Sequence, residues 1–141
     1  MKTVLDTNII IDALTTRMPY CADAQKILLL AEQGAIQGCI TSNTATDIYY
    51  LLHKYFHDVG KVKSVMEILF DTISVLTVNE DDCKNSLYSQ ISDYEDAVLE
   101  SSAKNENADC IVTRNGKDFK FSRIPIFSPS DFLANFQFLD K

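Results

Sequence analysis

The sequence contains no long hydrophobic run. A membrane-spanning helix needs about 18 to 20 consecutive apolar residues, and no stretch of the 141-residue chain approaches that length. The first residues also lack a basic leader followed by a cleavage signal. We therefore expect no membrane partner and a cytoplasmic location.

The sequence also has no closely spaced pair of cysteines. Cys21, Cys39, Cys83 and Cys110 are widely scattered, and no CxxC motif is present. This spacing indicates neither a thiolate metal site nor a disulfide framework. We expect reduced and mostly buried thiols.

Positive charge is scarce, with 13 Lys and Arg against 20 Asp and Glu, for a formal net charge of -7. Proteins that coat nucleic acid by releasing counterions are usually basic over their binding face, so this balance argues against that class. A cluster of metal-binding carboxylates would itself supply several negative charges, which the bound ion would offset. The charge therefore does not exclude nucleic-acid binding at a metal centre.

No repeat, low-complexity segment or linker divides the chain, so we expect one domain over residues 1–141. Short β-rich runs alternate with segments of helical periodicity. Strands are predicted at 3–5, 38–41, 74–78, 109–113 and 124–127. Helices are predicted at 7–14, 20–32, 42–55, 61–71, 80–90, 93–107 and from about 130 onward. Repeated βα units of this length predict an α/β fold with a mainly parallel sheet, about five strands wide, covered by helices on both faces.

Four aspartates lie close to the ends of these predicted elements. Asp6 and Asp118 follow the first and fourth strands, whereas Asp47 and Asp96 lie in the first turns of their helices. The carboxyl ends of parallel strands meet at one edge of a sheet, where functional sites gather. The sequence therefore predicts a catalytic cluster of Asp6, Asp47, Asp96 and Asp118, although any one of them alone could simply be a helix cap.

A divalent cation is the natural partner for such a cluster. Two like charges about 4 Å apart cost on the order of 4 kcal/mol at an effective dielectric near 20, and a cation between them reverses the sign. Oxygen-only ligands favour Mg²⁺ or Mn²⁺ over zinc. Such an ion can activate water and neutralise charge during phosphodiester hydrolysis. His53 and His57 form an i,i+4 pair, which a polar helix face explains better than a metal site.

Other polar residues surround the predicted cluster. Asn8, Thr113 and Asn115 lie at the same strand ends and either support the site or close turns. Asp93 is predicted to be a helix N-cap. Asp12 is predicted either to be solvated or to support the metal ligands without binding the metal itself.

RNA would require local positive charge near these acids. Four cations surround Asp118 in sequence, namely Arg114, Lys117, Lys120 and Arg123. Arg114 and Lys117 are the candidate phosphate contacts, with Arg17 and Lys54 extending the rim; the alternative is an ordinary solvated loop.

The aromatic residues have several possible roles. Three tyrosines at helical spacing either stack on bases, pack in the core or contact a second copy of the chain, and these are Tyr49, Tyr50 and Tyr55. Three phenylalanines near the C-terminus either pack in the core or form a partner surface, and these are Phe132, Phe136 and Phe138.

Five segments match, in order, the motifs of a known family. They are VLDTNIIIDAL (4–14), TATDIYYLL (44–52), DYEDA (93–97), TRNGKDF (113–119) and IFSP (126–129). In these motifs the chain resembles PIN-domain proteins. The resemblance implies a three-layer αβα sandwich and a ribonuclease that depends on Mg²⁺ or Mn²⁺. It matches Asp6, Asp96 and Asp118 to the family's metal-binding or water-activating acids, and Thr113 and Asn115 to polar positions beside them.

The resemblance has two further implications. Many PIN-domain proteins carry glutamate where this chain has Asp47, whose shorter side chain reaches a metal either directly or through water; a subgroup of the family with TATD at this position resembles this chain. Many small bacterial members are VapC-like toxins, which makes an antitoxin protein a candidate partner beside the RNA substrate.

Two other functions fit parts of the pattern. A receiver-type phosphotransfer domain would need a phosphoacceptor aspartate after the third strand, but that strand runs into Thr77-Val78-Asn79-Glu80. A catalytically silent scaffold that binds RNA or protein is the remaining alternative, and the presence of all four acids argues against it.

Overall fold

The computed structural model describes the backbone of residues 1–139 and the side chains of residues 1–136, so the predicted role of Phe138 lies outside the described side chains. Five strands alternate with helices along this part of the chain. The strands are β1 (Lys2–Leu5), β2 (Gln37–Thr41), β3 (Ser74–Leu76), β4 (Cys110–Val112) and β5 (Ile126–Phe127). The helices are α1 (Thr7–Leu14), α2 (Cys21–Glu32), α3 (Ser42–Phe56), α4 (Val59–Thr72), α5 (Glu80–Asn85), α6 (Tyr94–Asn105) and α7 (Pro129–Leu139). Short 3-10 helices span Ser86–Tyr88 and Gly116–Phe119.

The sheet is parallel throughout, with strand order β3-β2-β1-β4-β5. The chain fills one side of β1 with β2 and β3 and then returns to the other side with β4 and β5. Strand order therefore reverses between β1 and β4, and in open parallel sheets ligand sites form outside such a reversal point. The Asp6 amide continues the pairing there by donating to the Val112 carbonyl at 3.0 Å.

Two apolar cores lie on the two faces of the sheet, as alternation along each strand requires. Leu5 and Ile40 contribute to the core beneath α1, α2, α3, α4 and α7. Val4, Cys39 and Ile111 contribute to the core beneath α6. The predicted layered α/β architecture with a parallel sheet is confirmed.

Several local predictions require correction. Helix α3 begins at Ser42, so Thr41 occupies the N-cap position and Asp47 lies in the second turn instead of the first. The Thr41 hydroxyl makes no cap bond to the helix backbone; it lies 2.6 Å from Asn43 Oδ1 and 2.9 Å from Thr44 Oγ1. The predicted strands at 74–78 and 124–127 and the predicted helix at 80–90 are all shorter in the structure.

The predictions about the cysteines and about membrane-spanning segments can be compared with the structure. All four cysteines are free, and three of them are buried, with Cys83 exposed. None of the described helices combines the length and apolar character that crossing a membrane would require.

Candidate active site

A cleft of about 650 Å³ lies beyond the carboxyl ends of β1 and β4. All four predicted catalytic residues, Asp6, Asp47, Asp96 and Asp118, line it. The structure adds three further acids to the lining: Asp12, Asp93 and Glu95. We refer to this site as the acidic cleft.

Asp6 is held rigidly between β1 and α1. As the N-cap of α1, its Oδ1 accepts a hydrogen bond from the Thr7 amide at 2.8 Å. Its Oδ2 accepts one from Thr113 Oγ1 at 2.7 Å. Burial raises the pKa of Asp6, and the nearby charge of Asp118 adds to this, while the hydrogen bonds and Arg114 partly oppose it. A fixed carboxylate whose negative charge is poorly solvated is a suitable group to receive a cation.

Three predicted supporting residues form one network with Asp6. The buried Thr113 hydroxyl donates to Asp6 and accepts from the Asn115 amide at 3.0 Å. Asn8 Nδ2 lies 3.4 Å from Asp6 Oδ2, and Asn8 Oδ1 accepts from the Arg114 amide at 3.3 Å. The network links the start of α1 to the turn after β4, which also carries Asp118.

Asp96 is positioned by the first turn of α6. Asp93 is the N-cap, as predicted, and its Oδ1 accepts from the Asp96 amide at 3.0 Å. Burial raises the pKa of Asp96 to about 7, with further contributions from the charges of Asp6, Asp93 and Asp118. Asp6, Asp96 and Asp118 are therefore close enough to act on one another electrostatically.

Asp47 belongs to a second acidic pair, with Glu95. Hydrogen bonding to Asp47, together with burial and nearby negative charges, raises the pKa of Glu95 to about 7. The acidic cleft thus contains a three-aspartate group and a neighbouring Asp47–Glu95 pair.

Asp12 is buried, in contrast to the solvated role that was one of the two predicted for it. Only 1% of the residue is exposed, and its carboxylate accepts from Arg114 Nε at 2.6 Å and from Arg114 Nη2 at 3.3 Å. The Arg114 guanidinium also lies 4.0 Å from the centre of the Tyr20 ring. Much of the hydrogen-bonding capacity of Arg114, a predicted RNA contact, is therefore directed into the protein.

The other candidate cations occupy different positions around the acidic cleft. Arg17 is exposed and lines the cleft directly. Lys117 is exposed but lines an adjoining pocket of about 460 Å³ with Arg114 and Asn115. Lys54 lines another adjoining pocket together with Arg17.

The donor set of the acidic cleft decides which metal it fits. Among the described residues, no group of three or more His, Cys, Asp or Glu side chains is already arranged to hold an ion. Mg²⁺ usually retains several waters and binds through one or two carboxylates, so it does not need such a preformed cage. His53 and His57 are exposed on α3 and at its end, and neither lines the cleft. Carboxylate oxygens favour Mg²⁺ or Mn²⁺ over zinc, which prefers nitrogen and sulfur ligands. Mg²⁺ or Mn²⁺ therefore stays the predicted ion.

Sequence comparison assigns the fold family. The family model described as the PIN domain matches residues 2–117, which include Asp6, Asp47 and Asp96 and end one residue before Asp118. The chain belongs to the PIN-domain family. No curated protein sequence matches it significantly.

Solved structures of PIN-domain proteins share this fold. VapBC2 of Rickettsia felis, bound to a DNA fragment from its promoter, is 22% identical with a TM-score of 0.66, and the match covers 91% of this chain and 98% of that chain. VapBC-1 of nontypeable Haemophilus influenzae is 21% identical with a TM-score of 0.66, over 92% and 99% of the two chains. VapC20 of Mycobacterium tuberculosis, a toxin that cleaves the sarcin-ricin loop, is 10% identical with a TM-score of 0.67, over 84% and 93%.

Sequence reasoning missed two features of the PIN-domain cleft. Asp12 shares the inward face of α1 with Ile9 and Ala13, since Asp12 and Ala13 follow Ile9 by three and four residues. An acid on an apolar face indicates a buried partner. Glu95 gives no comparable signal, because exposed acids in a first helical turn are common.

Proposed function

We propose that this PIN-domain protein is an endoribonuclease that uses Mg²⁺ or Mn²⁺ bound in the acidic cleft. The observation that carries the proposal is the convergence of Asp6, Asp96 and Asp118 on the acidic cleft. Burial raises the pKa of both Asp6 and Asp96, and the charge of Asp118 adds to both shifts. Such an arrangement costs free energy unless a cation is present, so it is expected where a cation binds.

Each residue of the three-aspartate group has a defined task in this proposal. Asp6, Asp96 and Asp118 hold the ion directly or through water. When bound, the ion supplies activation of a water molecule and neutralisation of charge on the phosphate. Thr113 and Asn8 fix the orientation of the Asp6 carboxylate. The backbone amide of Asn115 donates a hydrogen bond to Thr113 Oγ1 and thereby holds the network in place.

The Asp47–Glu95 pair lies farther from the ion than the three-aspartate group and acts on it through water. Asp47 has a short side chain, and its neighbour in the acidic cleft is Glu95. We assign Asp47 to binding a water of the hydrated ion. Glu95 has a raised pKa and is the group that would lose a proton when a cation binds.

Lys117 is the better phosphate contact of the two predicted RNA-binding residues. The charge of Arg114 is matched by Asp12, with which it forms an ion pair. Lys117 is exposed and forms no ion pair within the described part of the chain. Arg114 therefore positions the turn that carries Asn115 and Asp118, and Lys117 contacts RNA.

A biological role as the toxin of a toxin–antitoxin pair fits this activity. The solved structures from Rickettsia felis and Haemophilus influenzae are VapBC proteins and match more than nine-tenths of this chain. We infer that an antitoxin protein binds this chain and blocks cleavage. Expression of the chain alone should arrest growth, whereas co-expression with its antitoxin should restore it.

A cleavage assay tests the ribonuclease proposal. Purified protein should cleave single-stranded RNA with Mg²⁺ or Mn²⁺ and be inactive in excess chelator. Asp6→Asn and Asp96→Asn should each abolish cleavage while retaining the far-UV circular dichroism of the folded protein. Asp71→Asn is the matched control, since Asp71 is exposed on α4 and lies outside the acidic cleft.

Two results would contradict the proposal. Undiminished cleavage by both site variants, or cleavage in chelator, would exclude the metal site. RNA binding without cleavage under any metal condition would instead identify a catalytically silent scaffold.

A further inference from the structure

We propose that a pocket beside the acidic cleft binds the nucleotide next to the cleaved phosphate of a single-stranded RNA. The pocket has a volume of about 480 Å³ and is lined by Ile11, Thr15, Arg17, Leu51, Lys54 and Tyr55. We call it the Arg17 pocket. The inference rests on the proposed ribonuclease function, because it places a neighbouring nucleotide of the same substrate.

The Arg17 pocket is continuous with the acidic cleft. Ile11, Arg17 and Leu51 line both. An RNA strand whose phosphate lies among the aspartates can therefore place its next base in the adjoining Arg17 pocket. Proximity of this kind is what a substrate path requires.

The charge of the Arg17 pocket favours an anionic ligand. Its lining contains two cations, Arg17 and Lys54, and no acid. Neither cation forms an ion pair with any residue in the described part of the chain. The net charge of -7 repels a phosphate backbone overall. The two unpaired cations beside the acids provide a local attraction for that backbone.

Arg17 is held in place by its own backbone. Its amide donates to the Asp12 carbonyl at 3.0 Å, and its carbonyl accepts from the Tyr20 and Cys21 amides at 3.0 and 2.8 Å. The position from which its side chain extends is therefore fixed relative to α1 and α2. This lowers the conformational cost of placing the guanidinium against a phosphate.

Tyr55 provides an aromatic surface for a base. Its residue is 56% exposed, and its ring packs edge-to-face against Phe56 with the ring centres 4.9 Å apart. Its hydroxyl lies 3.4 Å from the Thr15 carbonyl across the pocket. A partly fixed, exposed ring in a pocket that also contains two cations is a suitable stacking platform for an unpaired base.

The pocket around Lys117 is a weaker candidate for the same role. Its lining includes Asp23 as well as Lys117 and Arg114. Because Asp12 already pairs with Arg114, Asp23 leaves little net positive charge there. The Arg17 pocket is therefore assigned as the nucleotide subsite.

RNA binding tests the assignment without requiring cleavage. The affinity of a labelled eight-nucleotide single-stranded RNA is measured by fluorescence anisotropy with Mg²⁺, in an Asp96→Asn background that prevents hydrolysis. Tyr55→Leu should weaken binding about tenfold, and Tyr55→Phe should retain it, because loss of one base–aromatic stack costs on this order.

The salt dependence of the same binding tests the two cations. Combining Arg17→Ala with Lys54→Ala should reduce the slope of log affinity against log salt by about 1.4, at about 0.7 for each lost phosphate contact. Lys26→Ala, on the exposed face of α2, is the control and should leave the slope unchanged.

Cleavage kinetics separate this inference from the proposed function. In the otherwise wild-type chain, Arg17→Ala with Lys54→Ala should raise KM for an eight-nucleotide RNA, whereas Lys26→Ala should leave KM unchanged. Metal-dependent cleavage with unaltered KM and salt slope would overturn the subsite and leave the ribonuclease intact. The predicted binding changes without any cleavage would support the RNA site and refute the ribonuclease.

A protein ligand is the competing occupant of the Arg17 pocket. Sedimentation velocity of the same variants reports whether a second copy of the chain uses this surface. A shift in the monomer–dimer equilibrium, with RNA affinity unchanged, would overturn the proposal.

Discussion

Arg114 and Asp12 form a two-contact ion pair between residues 102 positions apart in the chain. The two distances are 2.6 Å from Nε to Oδ2 and 3.3 Å from Nη2 to Oδ1. The pair is asymmetric, since the Asp12 side chain is 1% exposed and the Arg114 side chain 21%. It connects α1, which follows Asp6, to the turn that carries Asp118.

This asymmetry predicts unequal effects of removing each partner. Arg114→Ala leaves a carboxylate buried without a counter-ion and should lower the free energy of unfolding by about 4 kcal/mol. Asp12→Ala leaves a guanidinium that can reach water and should cost about 2 kcal/mol. Urea denaturation of both variants and of the double variant measures these values. The double variant should lose less stability than the sum of the two single variants, and simple additivity would contradict the assigned pairing.

The acidic cleft predicts a distinctive pH dependence in chelator. The pKa of Asp96 rises from its ordinary value of 3.8 to about 7 in the folded protein. Between these pH values the folded state binds more protons than the unfolded state, so this contribution to stability is complete below pH 3.8 and is lost as the pH rises through about 7. The melting temperature of Asp96→Asn minus that of the wild type should therefore increase from pH 4 to pH 8.

Mn²⁺ provides the complementary measurement on the same samples. A bound cation favours the charged carboxylates, so it should raise the melting temperature of the wild type most at pH 8 and have little effect on Asp96→Asn. A difference in melting temperature that is independent of pH in chelator would contradict the electrostatic description of Asp96.

Asp47 and Asp96 should differ in their importance for cleavage. Asp96 is acted on by the charges of Asp6 and Asp118, whereas Asp47 pairs with Glu95. Loss of a group that supports a metal through water typically costs about 10- to 100-fold in affinity or activity. Asp47→Asn should therefore retain measurable cleavage that Asp96→Asn lacks. Metal titrations of both variants, read as kcat and KM separately, check the difference. Equal and complete loss would place Asp47 among the direct ligands.

The sequence predicted the convergence of the four aspartates because their placement depends on topology alone. Any parallel sheet brings the segments after β1 and β4 to one edge, whatever the packing details. The Asp12–Arg114 pair depends instead on two side chains that meet only after the whole sheet has formed. The contact between Glu95 and Asp47 likewise requires the N-terminal parts of α3 and α6, which cover opposite faces of the sheet, to meet at its carboxyl edge, and no local pattern specifies this.

The ends of elements were poorly predicted where side chains compete for backbone groups. The third strand stops at Leu76 because Ser102 Oγ donates to the Thr77 carbonyl at 2.7 Å and the Val78 amide donates to Ser42 Oγ at 3.3 Å. These partners are distant in sequence. The predicted start of the fifth strand fails for a local reason, since Ser122 Oγ bonds to both the amide and the carbonyl of Ile124.

Close packing of α2 on the sheet gives a final prediction about stability. A Cβ on Gly38, in β2, would lie 3.0 Å from Ala31 Cβ and 3.2 Å from Ile73 Cγ2. Ala31 Cβ is attached directly to the α2 backbone and cannot rotate away. Gly38→Ala should therefore shift α2 from the sheet and lower the free energy of unfolding by about 1 to 3 kcal/mol.

Gly60 is the matched control, because it lies in the first turn of α4 and an added Cβ would meet only Asp58 Oδ1, at 3.4 Å. Gly60→Ala should be neutral or stabilise the protein by up to about 1 kcal/mol, through the higher helix propensity of alanine. Equal stabilities of the two variants in urea would show that α2 can move away from β2 at little cost. Helix α1 packs against α2 and has Asp6 as its N-cap. A displaced α2 in Gly38→Ala should therefore also weaken Mn²⁺ binding, whereas Gly60→Ala should leave Mn²⁺ binding unchanged.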